Sequence, residues 1–234
     1  MVQIAHIFKK EFKVYFVSPI AYIVISIFLL VTGWFFFTPF FLFNQASLRS
    51  FFALFPIIFS FVVPAITMRL FSEEMNVGSY EILLTMPVTF CDVVLGKFLA
   101  SVVFIAVMMI PTISYPVTVS LLGQLDWGPV AGGYIGAVLL GAAFSAIGLF
   151  ASSMTRNQIV AFITGMAICF SLTLIDKMLF FLPQTMLGLL QYLGAGFHFQ
   201  NISKGIIDSR DILYFLSVSF IGLYATYLVI SEKN

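Results

Sequence analysis

Long apolar runs separated by short polar or turn-forming segments dominate this sequence. A helix that crosses about 30 Å of hydrocarbon needs about 20 predominantly apolar residues, and six runs approach or exceed that length. We therefore predict an all-α membrane protein with six transmembrane helices. The predicted spans are residues 20–43, 51–68, 98–122, 130–152, 158–175 and 212–230.

The segment before the first span has a different pattern, in which apolar positions recur at helical spacing on one face. That face is formed by Ile4, Ile7, Phe8, Phe12 and Tyr15. Lysines and a histidine point in other directions around the helix, so that one side suits lipid and the other suits water. Residues 1–18 are therefore predicted to form an amphipathic helix at the cytoplasmic surface of the membrane.

A further apolar stretch, residues 178–199, leaves two interpretations open. As a seventh span it would leave only Asp176 and Lys177 as the turn after the fifth span. Proline, glycine and glutamine residues interrupt the stretch, which favours a re-entrant extracytoplasmic hairpin before the last span. Lys and Arg are in excess on the side of the N-terminus with either count, so both predict a cytoplasmic N-terminus. Only the six-span interpretation places the C-terminus on the cytoplasmic side as well.

Composition agrees with a chain embedded in lipid. Hydrophobic residues make up 61% and charged residues 9% of the sequence, against about 45–50% and about 25% in soluble domains. A net charge of +1 without a basic tract argues against nucleic-acid binding. No repeat or linker divides residues 1–234, which we interpret as one domain. The many phenylalanines are interpreted mainly as lipid-facing bulk.

Two absences limit the possible chemistry. The predicted spans contain no Asp, Glu, Lys, Arg or His except at their ends, whereas ion-coupled carriers place such groups at membrane depth. The G-x-x-x-x-G-K-[ST] phosphate-binding loop is also missing, so an ATPase would have to be a separate subunit. His6 and His198 are expected on opposite sides, with His198 at the outer interface, so neither a metal site nor an enzyme is predicted.

The longest polar segment between spans, residues 69–97, mixes carboxylates with apolar residues on the predicted cytoplasmic side. The residues that define this pattern are Glu73, Glu74, Gly78, Glu81 and Leu84. Such a segment suits a short helix that docks into a groove on a soluble partner. The carboxylates flank a turn predicted at residues 76–78. Reversing Glu74 to Lys is expected to uncouple the stimulation of a partner ATPase without preventing membrane insertion, since an exposed loop charge adds little to folding. Thr89 and Asp92 have the spacing of a capping box into the third span.

Small residues recur at every fourth position along the fourth span. They are Gly133, Ala137, Gly141 and Ser145. A stripe of this kind lets another helix approach closely. The partner is either a helix of the same chain or a helix of a neighbouring subunit, and the sequence leaves both open.

Short motifs near the second and third spans form a recognisable set. They are residues 64–69 (PAITMR), 72–74 (SEE) and 78–85 (GSYEILLT), Pro87, and the pair Gly96 and Lys97. This set resembles the ABC-2 type transporter permease family. A weaker likeness extends along the rest of the chain, and among relatives it is most similar to the gliding-motility-type permeases.

The resemblance implies a non-catalytic permease subunit that binds no cofactor of its own. Two permease subunits, identical or related, would lie side by side in a bacterial cytoplasmic (inner) membrane, with both termini cytoplasmic. A cytoplasmic ABC ATPase dimer, which holds ATP and Mg, would contact the loop between spans two and three and the N-terminal helix. The coupling residues carried over by position are Glu73, Glu74, Gly78, Glu81 and Leu84.

Two functions remain open at this point. The first is export of a substrate driven by the ATPase subunits. The alternative is a mechanical or regulatory subunit that passes ATPase-driven motion to an extracytoplasmic partner without transporting a substrate. The outer loops at residues 44–50 and 123–129 are short, so a domain that selects a substrate would belong to an auxiliary extracytoplasmic subunit.

Overall fold

The computed structural model describes residues 2–43, 47–78, 88–178, 192–206 and 208–233. Within these ranges every regular element is a helix. The α-helices are α1 (Val2–Val17), α2 (Pro19–Phe43), α3 (Arg49–Ala53), α4 (Phe55–Thr67), α5 (Arg69–Val77), α6 (Phe90–Met109), α7 (Ser114–Leu122), α8 (Trp127–Met154), α9 (Gln158–Met178), α10 (Ala195–Ser203) and α11 (Ser209–Glu232). A 3₁₀ turn at Ile110–Ile113 joins α6 to α7, with Pro111 at its second position.

Six helical stretches in the described residues are long and apolar enough to cross a membrane, as predicted. They are Pro19–Thr38, Phe55–Val77, Phe90–Leu122, Trp127–Met154, Gln158–Lys177 and Ser209–Glu232. Because six crossings are an even number, both termini lie at the same end of the bundle. We call this end, which contains Lys97 and Ser152, the proximal end, and the end that contains Trp127 and His198 the distal end.

The predicted loop at residues 69–97 is largely helical where the structure describes it. Helix α5 continues the second span to Val77, and α6 begins at Phe90, eight residues before the predicted start of the third span. Thr89 caps α6 by accepting a hydrogen bond from the backbone N–H of Asp92, whose carboxylate accepts the N–H of Thr89. The predicted capping box is confirmed, and it explains why the helix begins so early.

Helix α8 is the centre of the bundle, with 72% of its span window buried, against 22% for α2, α9 and α11. Small residues allow this crowding. The predicted stripe lies inside the chain: a side chain at Gly133 would meet the ring of Phe52, one at Gly141 would meet Ile105, and Ala137 and Ser145 are fully buried. These positions are thus covered by helices of the same chain.

Aromatic side chains fill much of the interior. Phe28, Phe55 and Phe59 are almost fully buried and contact one another with ring centroids 5.3 to 6.1 Å apart. Nearer the distal end, the ring of Phe36 stacks on Tyr115 at 4.8 Å. The interpretation of the phenylalanines as mainly lipid-facing was therefore wrong for this group, because edge and stacked contacts between rings stabilise a packed core.

The flanks of the stretch at residues 178–199 lie together at the distal end. The carboxylate of Asp176 rests against Gly196, where an added Cβ would lie 2.8 Å from Oδ2. A segment that crossed the bilayer once would separate its ends by about 30 Å, so this proximity excludes a seventh span. Residues 179–191 lie outside the described ranges, and their re-entrant path stays a prediction.

Candidate functional site

The second span passes through Met68, the junction of α4 and α5, and continues as α5 to the tip of the proximal end. Met68 still donates its N–H to the carbonyl of Pro64 at 2.8 Å, so the two helices join without a loop. Helix α5 ends at Gly78, whose φ of 79° lies in the left-handed region that favours glycine. Gly78 thereby ends α5 within the turn predicted at residues 76–78.

One serine on α8 binds the backbone at the junction of α4 and α5. The hydroxyl oxygen of Ser152 accepts the N–H groups of Phe71 at 3.0 Å and Ser72 at 3.1 Å, and the hydroxyl donates to the carbonyl of Met68 at 2.7 Å. These N–H groups belong to the first turn of α5, where backbone N–H groups have no acceptor within their own helix. Ser152 therefore acts as a cap supplied by a neighbouring span.

Replacing Ser152 with Ala should lower the free energy of unfolding by about 1–3 kcal/mol, because buried N–H groups would lose their acceptor. The matched control is Ser153→Ala, since Ser153 donates only to the carbonyl of Phe150 one turn earlier. Chemical unfolding in detergent micelles measures both variants. Equal stability of the two would contradict the capping role.

A buried lysine joins three helices at the same level. Lys97 on α6 is 1% exposed, and its ammonium lies 2.9 Å from Glu74 Oε1 on α5 and 3.2 Å from Glu11 Oε1 on α1. It also donates to the carbonyl of Leu70 at 2.7 Å, and it lies 5.1 Å from the ring of Phe71. All three donors of the ammonium therefore have acceptors. We call Glu11, Glu74 and Lys97 the proximal lock.

A second set of contacts holds α1 beside the lock. Tyr15 donates to the carbonyl of Ile66 at 3.2 Å, and its ring stacks on Phe104 at 4.7 Å. Burial raises the pKa of the Tyr15 phenol, with a smaller contribution from Glu11 and an opposing one from Arg69. The phenol therefore stays neutral and can donate this hydrogen bond at any physiological pH.

Arg69 marks the opening between α1 and α5. It lies 3.8 Å from Glu73, donates to the hydroxyl of Ser18 at 3.2 Å, and sits 5.9 Å from the centre of the Tyr15 ring. A cleft of about 260 Å³ separates the two helices here, with Lys10 among the charged residues at its wall. The cleft faces the proximal end.

The C-terminus reaches the same helix from the other side. Lys233 donates to the carbonyl of Ser153 at 2.6 Å and lies 3.6 Å from the sulfur of Met75 on α5. Partial burial and the nearby Arg156 lower the pKa of its ammonium. Helix α5 is therefore held by α1, α6, α8 and the end of α11 together.

The residues predicted for coupling have different environments. The side chain of Glu73 is 50% exposed, and Gly78 forms the exposed end of α5. Glu74, expected as an exposed loop charge, has a side chain only 17% exposed and bound to Lys97, so that expectation was wrong. Glu81 and Leu84 fall outside the described residues.

Sequence reasoning missed three members of the site: Lys97 as a buried charge, Glu11 as its partner, and Ser152. A signal existed for the first, since Lys97 lies inside a helix of otherwise apolar character and a charge there needs a partner. The partner itself is 86 residues away in sequence. Within the described ranges, no three His, Cys, Asp or Glu side chains come close enough together to hold a metal ion.

Comparison with known proteins gives one clear result. A protein-family model described as "ABC-2 family transporter protein" matches residues 5–220, which include α5, α6 and α8 in full, α1 from its fourth residue and the first half of α11. A comparison with curated proteins gives no match.

Proposed function

The chain belongs to the ABC-2 family of transporter proteins, and on that premise we propose that it couples ATP hydrolysis in a separate cytoplasmic ATPase to substrate export. It is a multi-pass membrane protein of a family of permease subunits. In this proposal the proximal end faces the cytoplasm and both termini lie there. The chain binds no nucleotide itself; ATP and Mg belong to the partner ATPase dimer.

The observation that supports coupling most directly is the proximal lock. Lys97 joins α6 to α1 and α5 within 3.2 Å, so a force on α5, the last part of the second span, reaches the first turns of the third span without passing through a loop. A charge pair removed from water resists separation, because breaking it leaves a buried charge uncompensated. The lock therefore makes these helices move as one unit.

The contact surface for the ATPase is proposed at the tip of α5 and along the exposed side of α1. Glu73 and Val77 are exposed there, and Glu81 and Leu84 are proposed as further contact residues. Positive residues concentrate at this end, which favours a cytoplasmic orientation. They are Lys9, Lys10, Lys13, Arg69, Lys97, Arg156 and Lys233.

A second permease subunit completes the proposed complex. The window of α2 is 22% buried in the isolated chain, as is that of α9, and large apolar side chains such as Trp34 and Ile163 are exposed on them. These faces suit a neighbouring subunit, identical or related, and lipid. An auxiliary extracytoplasmic subunit would supply any substrate-selecting domain, since the outer loops at residues 44–50 and 123–129 are short.

Charge reversal at Glu73 tests coupling. We expect Glu73→Lys to reduce the ATPase stimulation by the permease at least about tenfold, because a misplaced charge at a complementary interface costs more than about 1.4 kcal/mol. Stability should change little, since this carboxylate is half exposed. The ATPase rate of the purified complex in lipid nanodiscs measures the effect.

Glu232→Lys is the matched control, because Glu232 is an exposed carboxylate at the same end of the bundle. It should leave stimulation unchanged. If both variants stimulate like the wild type, α5 does not contact the ATPase.

The presence of an ATPase partner is tested separately. Purification of the tagged chain from native membranes in mild detergent, followed by mass spectrometry, should recover a soluble nucleotide-binding protein in stoichiometric amount. If cross-linked membranes yield none, ATP-driven export by this chain is ruled out.

A further inference from the structure

A histidine and an aspartate form a buried pair at the distal end, where neither contributes to the proximal lock. His198 on α10 and Asp211 on α11 are each 3% exposed. Nδ1 of His198 lies 2.6 Å from Oδ1 of Asp211, and Nε2 lies 2.9 Å from the backbone carbonyl oxygen of Tyr192. The sequence predicts His198 at the outer interface; in the structure it is buried at the distal end against Tyr214 and Phe215 of α11.

The two partners of this imidazole determine how many protons it must share. The carbonyl of Tyr192 can only accept, so Nε2 has to carry a hydrogen. The 2.6 Å contact between Nδ1 and Oδ1 also requires a hydrogen between its atoms, because two lone pairs at that distance repel. A neutral imidazole beside a carboxylate has one hydrogen in total. One additional proton on the pair would satisfy both contacts at once.

The surroundings of the pair stabilise this proton. Asp211 is the third residue of α11, where the helix N-terminus favours a negative charge, and its other oxygen, Oδ2, is buried without a hydrogen-bond partner among the described residues. The ring of Tyr214 stacks on the imidazole at 4.1 Å, an arrangement that favours a cationic ring. An imidazolium beside a carboxylate satisfies the contacts of both ring nitrogens, and the pair then carries no net charge.

We propose that the His198–Asp211 pair is a proton-binding site, and that the bound proton latches residues 192–193 to the last span. Two hydrogen bonds, one from α10 and one from α11, hold the consecutive backbone carbonyls of Tyr192 and Leu193. His198, itself paired with α11, donates to Tyr192, and the hydroxyl of Tyr214 donates to Leu193 at 2.7 Å. Only the link through His198 to Tyr192 depends on the additional proton, since the Tyr214 phenol donates its own hydrogen to Leu193.

Other charged groups near α10 are already accounted for. Asp176 on α9 rests against Gly196 and lies 4.0 Å from Lys177, and Arg210 beside Asp211 is exposed. The described faces of α4 and α8 that pack on α10 present Phe55, Gly132 and Gly136, which do not titrate. Arg49 on α3, which also packs on α10, is exposed. Among the described residues, the latch therefore depends on the His198–Asp211 pair.

The sign of the pH effect follows from proton counting. Above a pH of about 6.5 an exposed histidine is mostly neutral, so opening the latch releases one proton. The ratio of latched to open molecules should then fall by up to about tenfold for each unit that the pH rises. Acidification on the distal side holds the segment closed, and alkalinisation frees it. This inference concerns the permease chain alone and does not depend on the ATPase.

Nitrogen NMR of ¹⁵N-histidine in the full chain in nanodiscs tests the proton directly. The chain has two histidines, and His6 is exposed on α1, so it serves as an internal reference. At a pH where His6 is neutral, His198 should show a hydrogen on Nε2 and a far-downfield bridging hydrogen at Nδ1. A neutral His198 spectrum without the bridging signal would overturn the proposal.

Hydrogen exchange of the amides in residues 192–200 tests the latch. After correction for the intrinsic pH dependence of exchange, the wild-type protection should decrease as the pH rises. Asp211→Asn should keep the protection and abolish its pH dependence, because the Asn amide can donate to Nδ1 of a neutral imidazole. Tyr214→Phe should lower the protection by the same factor at every pH and leave its dependence on pH unchanged. Wild-type protection that is flat with pH, or an unchanged slope in Asp211→Asn, would refute the latch.

Discussion

Replacing Lys97 with Met should lower the free energy of unfolding by about 3–5 kcal/mol, because removal of one partner leaves a buried charge without compensation. The Lys97 ammonium is the shared partner of Glu11 and Glu74 and also serves the carbonyl of Leu70. Methionine fills a similar volume, so the loss reports the charge and its hydrogen bonds rather than a cavity. Denaturant titration in micelles measures the effect.

Lys10 provides the matched control for this experiment. Its ammonium lies 3.8 Å from both Glu11 and Glu74, but its side chain is 62% exposed, so Lys10→Met should cost at most about 1 kcal/mol. A double variant, Lys97→Met with Glu74→Gln, should recover part of the loss, since it removes one stranded carboxylate. A Lys97→Met protein as stable as Lys10→Met would show that the lock does not hold the helices together.

The lock also changes what the substitution at Glu74 reports. From the sequence, Glu74→Lys was expected to disturb only coupling. In the structure the new ammonium would face Lys97 at the position of a 2.9 Å ion pair. Like charges in a buried site destabilise the fold itself, so loss of ATPase stimulation in this variant would not be specific. Glu73, half exposed, is the informative position for docking.

Replacing Gly132 with Ala should destabilise the distal end by about 1–3 kcal/mol, a typical cost of overpacking a tight core. An added Cβ would lie 2.3 Å from the backbone carbonyl oxygen of Ile202, and Gly205 lies just behind it. A carbonyl near the end of α10 cannot rotate away as a side chain can, so α10 must shift relative to α8. Thermal unfolding in detergent should show a lower midpoint.

Gly165→Ala is the control for the same chemical change. The nearest atom to its added Cβ is the Cβ of Ala151 at 3.4 Å, an ordinary contact. Alanine is also the better helix former by up to about 1 kcal/mol, so stability should stay the same or rise slightly. Equal midpoints for the Gly132 and Gly165 variants would mean that α10 is not tightly seated on α8.

Much of this architecture is predictable because a bilayer imposes a simple rule on the sequence. A span must be apolar over a fixed length, so the six spans can be recognised one at a time, without knowing their neighbours. Local rules predict other details equally well. The capping box at Thr89 and Asp92 depends on residues three apart, and the turn at Gly78 depends on the conformational freedom of one glycine.

Contacts between distant residues were not predictable in this way. Glu74 looks like a loop charge until α6 brings Lys97 beside it, and His198 looks interfacial until Asp211 meets it. The sequence also contains no sign of which phenylalanines face lipid, since lipid and protein interiors are equally apolar. Only packing distinguishes Phe59, which is fully buried, from Phe220, which is 70% exposed.

The sequence by itself therefore determined the class of protein, six of its spans and the likeness to a permease family, because these depend on local hydrophobicity and short motifs. The tertiary structure excluded a seventh span, and with it decided that both termini share one side; it also decided which charges are buried together and which stripe of glycines meets which helix. Those features exist only when helices from distant parts of the chain come within about 3 Å, the distance at which hydrogen bonds form.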